Sequence, residues 1–243
     1  DLLKRVVPGA TVYISDPSWE NHRALFEAAG FPVENYPYYD PATRGANAEG
    51  MIATLNSLPA GSIIVLHACC HNPTGADLTE AQWAEVVKAC ATRGLVPFLD
   101  MAYQGFADGI EPDAVAVNLF AASGLSFFVS SSFSKSFSLY GERVGALSIV
   151  TQNKDESARV LSQLKRVIRT NYSNPPIHGG AIVAAVLSTP ELRAQWEAEL
   201  AGMRERIRAM RTGLVEQLAA RKVDQDFSFV IKQRGMFSYT GLS

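Results

Sequence analysis

The 243-residue sequence is poor in cysteine, has no block of like charge and contains no long apolar run. Its three cysteines, Cys69, Cys70 and Cys90, are too few and too unevenly spaced for a disulfide framework, so we expect a cytoplasmic protein. The formal charge of −2 is spread along the chain, which gives no reason to expect nucleic acid or an anionic membrane as a partner. No segment has the pattern of a bilayer span or a signal peptide.

Glycine is also missing from one informative place, because no G-x-G-x-x-G follows the first strand-like segment. This absence argues against a dinucleotide-binding dehydrogenase. Strand-like segments are predicted at 11–15, 31–39, 62–70, 95–100, 125–132 and 144–150. Helical patterns at 19–30, 47–61 and 80–93 alternate with them. The alternation predicts an α/β fold with a mostly parallel, doubly wound sheet.

The last third of the chain has a different pattern. Residues 154–221 read as helical, and the stretch 190–221 is long for one globular helix. Two strands are predicted within 226–242. We therefore expect a large domain over 1–200 and part of a small α+β domain over 201–243, joined by a long helix.

The segment "SSSFSKSFSLYGERVG" contains a lysine that lies far from other charges in the sequence. The charged residues nearest to Lys135 are Asp113 and Glu142. Taken alone, such a lysine is best explained as one whose amine reaches solvent from the end of a strand. In a segment that reads as interior, however, a lysine either has a partner or takes part in chemistry.

Polar and aromatic side chains follow four of the predicted strands, where open α/β sheets bind their ligands. They are Trp19, His22, Asn72, Asp100, Tyr103, Ser132, Lys135 and Arg143. Each has an ordinary explanation alone: Asn72 fits a turn, Asp100 a helix cap, Arg143 an ion pair with Glu142, and Trp19 the core. Their joint occurrence points to a shared site.

This set of side chains matches the needs of pyridoxal 5′-phosphate. Its aldehyde needs a lysine amine, and its ring nitrogen needs a carboxylate that keeps it protonated. Its phenolic oxygen needs donors, its phosphate suits an arginine and hydroxyls, and its flat ring needs an aromatic neighbour.

Six segments in order along the chain carry a resemblance to a known family: "DPSWENH", "CCHNPTGADLT", "PFLDMAYQGF", "SFSKSFSLYGERVG", "NYSNPP" and "RGMFSYTGL". Together they resemble class I aminotransferases of the aspartate/aromatic subgroup, and most closely the bacterial aromatic-amino-acid aminotransferases. The resemblance implies the fold of PLP-dependent transferases of the aspartate aminotransferase type (fold type I), with 1–200 as the PLP-binding domain. It also implies cis peptide bonds before Pro17 and Pro73.

The resemblance assigns a role to each candidate residue. Lys135 would attach the cofactor and later move a proton. Asp100 would pair with the ring nitrogen, with His22 supporting it from behind. Tyr103 and Asn72 would bond to the phenolic oxygen, and Asn72 would also contact the substrate. Trp19 would stack on the cofactor ring and line the substrate pocket. Ser132 and Arg143 would bind the phosphate.

The implied reaction is ping-pong transfer of the amino group of tyrosine, phenylalanine or aspartate to 2-oxoglutarate, so the partners are amino acids and 2-oxo acids. Arg169 would bind a dicarboxylic substrate in the neighbouring subunit of a homodimer with shared sites. The alternatives are a strict aspartate aminotransferase, a PLP-dependent lyase or decarboxylase, and a non-catalytic binding domain of this fold.

Two further expectations concern metals and the chain ends. His67, Cys69 and His71 share one side of a strand, which we interpret as packing, so no metal is expected. The family's N-terminal phosphate loop and its C-terminal carboxylate-binding arginine have no counterpart in these 243 residues. We therefore expect the chain to be a portion of a longer enzyme and to transfer amino groups inefficiently alone.

Overall fold

The computed structural model describes residues 1–241, and within them the chain forms a central sheet flanked by helices. Its strands are β1 Val12–Asp16, β2 Val33–Pro37, β3 Tyr39–Asp40, β4 Gly45–Ala46, β5 Ile63–His67, β6 Val96–Met101, β7 Phe127–Ser132 and β8 Gly145–Val150. Its α-helices are α1 Leu2–Val6, α2 Glu20–Ala28, α3 Ala48–Ser57, α4 Glu80–Arg93, α5 Val115–Ala122, α6 Lys154–Asn171, α7 His178–Ser188, α8 Pro190–Ala220 and α9 Phe229–Lys232.

The six-stranded sheet has the order β2-β1-β5-β6-β7-β8, and β3 pairs separately with β4. Neighbouring strands from β2 to β7 are parallel, whereas β8 runs antiparallel to β7. The predicted mostly parallel sheet is therefore confirmed. Because β2 and β5 lie on opposite sides of β1, the strand order reverses there, and such a reversal opens a crevice at the carboxyl ends of the strands.

Strand β5 is buried on both faces, as its unbroken apolar sequence predicts. Ile64 and Leu66 belong to a core shared with helices α3, α4 and α5. Ile63 and Val65 belong to a second core on the opposite face, which includes residues of α1. The sheet is thus a layer between two cores, and this fixes the strand ends that carry the polar residues.

Leu99 lies in the middle of β6 and is fully buried. Replacing it with alanine is expected to lower the free energy of unfolding by about 2–5 kcal/mol, because the lost methyl groups leave a cavity between packed layers. Urea denaturation followed by circular dichroism measures this change. Leu161, an exposed leucine of α6 that is 48% accessible, is the matched control. A Leu99→Ala chain no less stable than Leu161→Ala would contradict this packing.

Helix α4 begins and ends where its sequence signals indicate. Thr79 and Gln82 form a reciprocal capping box at the start, and Gly94 ends the helix in the left-handed conformation at φ 62°. The peptide bonds Asp16–Pro17 and Asn72–Pro73 are both cis, which confirms the prediction. Cys69, Cys70 and Cys90 are free thiols and buried.

The prediction of two strands within 226–242 is wrong for the part that the structure describes, which ends at residue 241. That part forms the short helix α9 followed by irregular chain. The carbonyl groups of Gln233, Gly235 and Phe237, which a strand would offer to a neighbouring strand, instead accept hydrogen bonds from Arg211 of α8. None of the helices in residues 1–241 combines the length and apolarity that crossing a bilayer requires.

Candidate functional site

A cavity of about 530 Å³ opens at the carboxyl ends of β1, β5, β6 and β7. Eight of the nine site residues predicted from the sequence line it: Trp19, His22, Asn72, Asp100, Tyr103, Ser132, Lys135 and Arg143. These residues come from distant parts of the chain, and the parallel sheet brings them together because its strand ends share one edge. Arg169 is the predicted residue that the cavity does not include.

Asp100 and His22 form a hydrogen-bonded pair at the back of the cavity. The His22 Nε2 atom lies 2.8 Å from Asp100 Oδ2, and Ser18 Oγ lies 3.1 Å from His22 Nδ1. Burial by itself raises the pKa of Asp100, but the hydrogen bond with His22 and the nearby ammonium of Lys135 outweigh it, so the pKa lies below its usual range. The carboxylate is therefore held ionised.

Two further imidazoles lie behind this pair. The ring of His67 is 4.8 Å from that of His22 and 4.4 Å from that of His71. Both ring nitrogens of His67 are buried without a hydrogen-bond partner among the described residues. Burial and the neighbouring His71 and His22 hold the pKa of His67 well below its usual value, so this ring is neutral.

His71 is fixed on both sides of its ring, by Ser15 Oγ at 2.9 Å from Nε2 and Thr74 Oγ1 at 2.8 Å from Nδ1. Burial lowers the pKa of His71 to about 3, whereas an unfolded histidine titrates near 6.5. Between these values the unfolded chain binds more protons, so the free energy of unfolding falls as the pH drops below about 6.5.

A His71→Gln substitution is expected to reduce the loss of unfolding free energy between pH 7 and pH 5 by about 2 kcal/mol. Urea denaturation at the two pH values gives both slopes. The comparison uses the slopes rather than absolute stability, because the substitution also removes hydrogen bonds. Exposed His178, changed to glutamine, is the control and keeps the wild-type slope. A wild-type slope in His71→Gln would show that the buried ring does not stay neutral.

Lys135 and Tyr103 face each other in the cavity. The Lys135 Nζ atom lies 4.9 Å from the centre of the Tyr103 ring. Burial raises the pKa of Tyr103 to about 12, despite a hydrogen bond with the Asn72 side chain that lowers it. The phenol therefore keeps its proton at neutral pH and is available as a donor beside the amide of Asn72.

The turn that carries Lys135 is held by helix α8. Trp196 Nε1 donates a hydrogen bond to the carbonyl oxygen of Ser136 at 2.7 Å, and its ring stacks on Phe137 at 4.5 Å. Ser134 and Ser136 on either side of the lysine are buried. The backbone at this position is therefore fixed, while the amine points into the cavity.

The remaining residues form the rim of the cavity. Trp19 is 39% exposed and meets His22 edge to face at 5.3 Å. Arg143 adopts the left-handed conformation at φ 51° and donates to the carbonyl of Tyr140 at 2.9 Å. The Ser132 hydroxyl accepts a hydrogen bond from the backbone of Ser134 at 3.2 Å. This end of the cavity thus offers a guanidinium and a hydroxyl to an anionic group.

Arg169 lies near the end of α6 and is exposed. It donates a hydrogen bond to Ser173 and makes no contact with the cavity of its own chain. Any role in binding a substrate therefore requires a second chain.

Two groups of possible metal ligands lie close together among residues 1–241: His22, His67 and Asp100, and Cys69, Cys70 and Asp113. Neither group is the set of His67, Cys69 and His71, which were considered from the sequence as possible metal ligands. Asp113 already accepts hydrogen bonds from four backbone N–H groups within 105–109, which accounts for its position as a loop anchor.

Several site residues escaped the sequence reasoning. Ser18 had a usable signal, because it lies four residues before His22 at the start of a helix. His67 was noticed but interpreted as packing, although it lines the cavity. Trp196 and Phe237 had no local signal, since their contacts with Ser136 and Tyr103 join segments that are distant in sequence.

Comparisons with known proteins agree with this geometry. The family model "Aminotransferase class I and II" matches residues 1–243. The aspartate aminotransferase of Pseudomonas aeruginosa is 70% identical and the aromatic-amino-acid aminotransferase of Escherichia coli 54% identical, each over the whole chain. The crystal structure of an aromatic-amino-acid aminotransferase from Burkholderia pseudomallei, covalently bound to pyridoxal phosphate, superimposes over the whole chain with a TM-score of 0.98 and 69% identity. The chain spans 61% of the length of each of these relatives.

Proposed function

The chain belongs to the class I and II aminotransferases, and on that premise we propose that it binds pyridoxal 5′-phosphate and transfers amino groups between amino acids and 2-oxo acids. The observation that carries the proposal is the convergence of Lys135, Asp100, Tyr103 and Asn72 on one cavity of about 530 Å³. The proposal also assigns 1–200 to the PLP-binding domain and 201–243 to part of the small domain.

The groups that line the cavity fit this cofactor. An ionised carboxylate, an amine and a protonated phenol with a neighbouring amide are the groups that its ring nitrogen, aldehyde and phenolic oxygen require. Arg143 and Ser132 would hold the phosphate, and the Trp19 ring would cover one face of the cofactor ring.

When bound, the cofactor supplies an aldehyde that accepts an amino group and a ring that withdraws electrons from the substrate Cα. Asp100, kept ionised by His22, would hold a proton on the ring nitrogen. Tyr103 and Asn72 would bond to the phenolic oxygen, and Asn72 would also contact substrate. Lys135 would supply the amine for covalent attachment and would afterwards act as the base that takes the proton from the substrate Cα.

The proposed donors are aromatic amino acids and aspartate, with 2-oxoglutarate as acceptor in a ping-pong sequence. Two relatives support this range, since one is named an aspartate and the other an aromatic-amino-acid aminotransferase. Arg169 would meet the second carboxylate of aspartate in the partner subunit of a homodimer, and its exposed position outside its own cavity fits that role. The free thiols fit a cytoplasmic location.

The test is a pair of half-reactions followed by visible absorbance. The chain loaded with pyridoxal phosphate is mixed with phenylalanine or aspartate, and the 2-oxo acid released is measured. We expect one equivalent of 2-oxo acid with a change in the spectrum, and 2-oxoglutarate should reverse that change. Release of CO₂ without 2-oxo acid would indicate a decarboxylase instead. A bound cofactor that no amino acid alters, both in this chain and in a longer chain that adds the family's N-terminal phosphate loop and C-terminal arginine, would indicate a binding domain, and either result overturns the proposal.

A further inference from the structure

Arg211 of α8 is a buried cation outside the cavity. Arg211 is 6% exposed, and no carboxylate in residues 1–241 forms an ion pair with it. A buried charge is costly unless hydrogen bonds replace its water. Here the guanidinium donates to four oxygens of one segment: the carbonyls of Gln233, Gly235 and Phe237 and the hydroxyl of Ser238.

These four residues define the strap, residues 233–238, whose shape depends on this one side chain. The distances to the Gly235 carbonyl and the Ser238 hydroxyl are 2.7 and 3.1 Å. The strap bends at residues 235 and 236, where Gly235 has φ +79°, and the carbonyls of residues 233, 235 and 237 all reach one planar guanidinium. The strap has no strand partner in the described chain, and Arg211 takes that place.

The strap contacts Tyr103, which lines the cavity, and the turn that carries Asn72. The Phe237 ring meets the Tyr103 ring edge to face at 5.7 Å. The backbone N–H of Arg234 donates to the carbonyl of Gly75 at 2.8 Å, and Gly75 closes the turn that carries Asn72. Both groups that would bond to the cofactor's phenolic oxygen are therefore supported from behind by the strap.

A third contact leaves little room for the strap to shift. Gly235 has φ +79°, and a Cβ atom at this position would collide with Cys70 Cβ. The Cys70 thiol in turn lies 3.5 Å from the carbonyl oxygen of Tyr103, to which it donates. The strap, Cys70 and Tyr103 thus form one packed layer beneath the cavity floor.

We propose that Arg211 is a positioning residue of the cofactor site: it holds the strap, and the strap fixes Tyr103 and the turn that carries Asn72. The inference rests on the proposed function, in which these two side chains bond to the phenolic oxygen. Arg211 does not line the cavity, so its effect on the site would pass through the strap.

The experiment compares Arg211→Gln and Arg211→Lys with Arg206→Gln. Arg206 lies on the same helix and is exposed, so it controls for the loss of an arginine from α8. In the first measurement, hydrogen exchange of the cofactor-free full chain is followed by mass spectrometry of peptides. We expect exchange at least about tenfold faster in Arg211→Gln both in the strap and in residues 70–76, with strands β5 and β6 unchanged.

The second measurement is the dissociation constant of pyridoxal phosphate, taken from its visible absorbance. We expect it to rise about tenfold in Arg211→Gln, less in Arg211→Lys, and not at all in Arg206→Gln. The apparent pKa of the bound chromophore is also expected to rise, because its phenolic oxygen loses donors. A role confined to the stability of α8 would leave this pKa unchanged.

The two measurements separate this inference from the proposed function. If the wild-type chain binds no pyridoxal phosphate, the proposed function fails, while hydrogen exchange still tests whether the strap holds residues 70–76. Faster exchange confined to the strap, with residues 70–76 at the wild-type rate, overturns the inference. If Arg211→Gln does not fold, Phe237→Leu replaces it, because it removes the ring contact with Tyr103 and keeps the guanidinium. Wild-type cofactor affinity and chromophore pKa in that variant would overturn the inference equally.

Discussion

Replacing Lys135 with alanine is expected to abolish covalent attachment of pyridoxal phosphate and to lower amino transfer at least about 10⁴-fold. Among the residues that line the cavity in the described chain, Lys135 is the only lysine. No other lysine there can attach the aldehyde or take the Cα proton. Borohydride reduction followed by intact mass spectrometry measures the attachment, and the half-reaction with phenylalanine measures the transfer.

The control for this prediction is Lys154→Ala, because Lys154 is exposed at the start of α6 and does not line the cavity. The control should keep one reduced adduct per chain, located by peptide mapping at Lys135. An adduct of wild-type stoichiometry in Lys135→Ala would place the attachment on another lysine and would remove the central assumption of the proposed function.

Replacing Asp100 with alanine is expected to lower the rate of the half-reaction about 10³-fold while the cofactor still attaches to Lys135. The carboxylate is ionised and lines the cavity beside His22, so its removal takes away the charge that, in the proposed function, would hold a proton on the ring nitrogen. Single-turnover rates with aspartate and phenylalanine measure the loss, and reduced adducts verify attachment.

His22→Phe should shift the rate in the same direction by a smaller factor, because it removes the hydrogen bond but leaves the carboxylate. Asp155→Asn on the exposed surface of α6 is the matched control for a lost carboxylate. If the half-reaction rate of the Asp100→Ala variant lay within about threefold of the wild-type rate, the carboxylate would have no electrostatic role in the reaction.

The sheet could be predicted from sequence because local patterns determine it. The apolar run of β5 and the capping box of α4 are each complete within about fifteen residues, and both elements form where their signals lie. The conformation of the strap could not be predicted, because the longer run 226–242 that contains it reads as two strands. What decides its conformation is a guanidinium more than twenty residues earlier, at Arg211, and no local pattern reports that contact.

The residues of the candidate site could be named from their chemistry and from a family resemblance. The neighbouring residues that hold them in place could not be named in this way. Asp100 and Lys135 follow predicted strands, so their convergence was expected from the sheet. His67 was interpreted as packing, because it lies in an apolar strand, and no sequence pattern indicated that it also lines the cavity. Its true environment, beneath His22 with both ring nitrogens unpaired among the described residues, depends on which strands are neighbours.

Helix α8 has a mechanical consequence for the site, because its 31 residues make a rod about 46 Å long. Trp196 joins it to the backbone beside Lys135, and Arg211, about 22 Å further along, joins it to the strap. A tilt of about 10° around Trp196 would carry Arg211 through about 4 Å. Arg204 and Arg208, which lie between these two points, donate to the carbonyls of Gly105 and Ala107 and oppose such a tilt, so the helix holds the backbone beside Lys135 and the strap at a fixed separation.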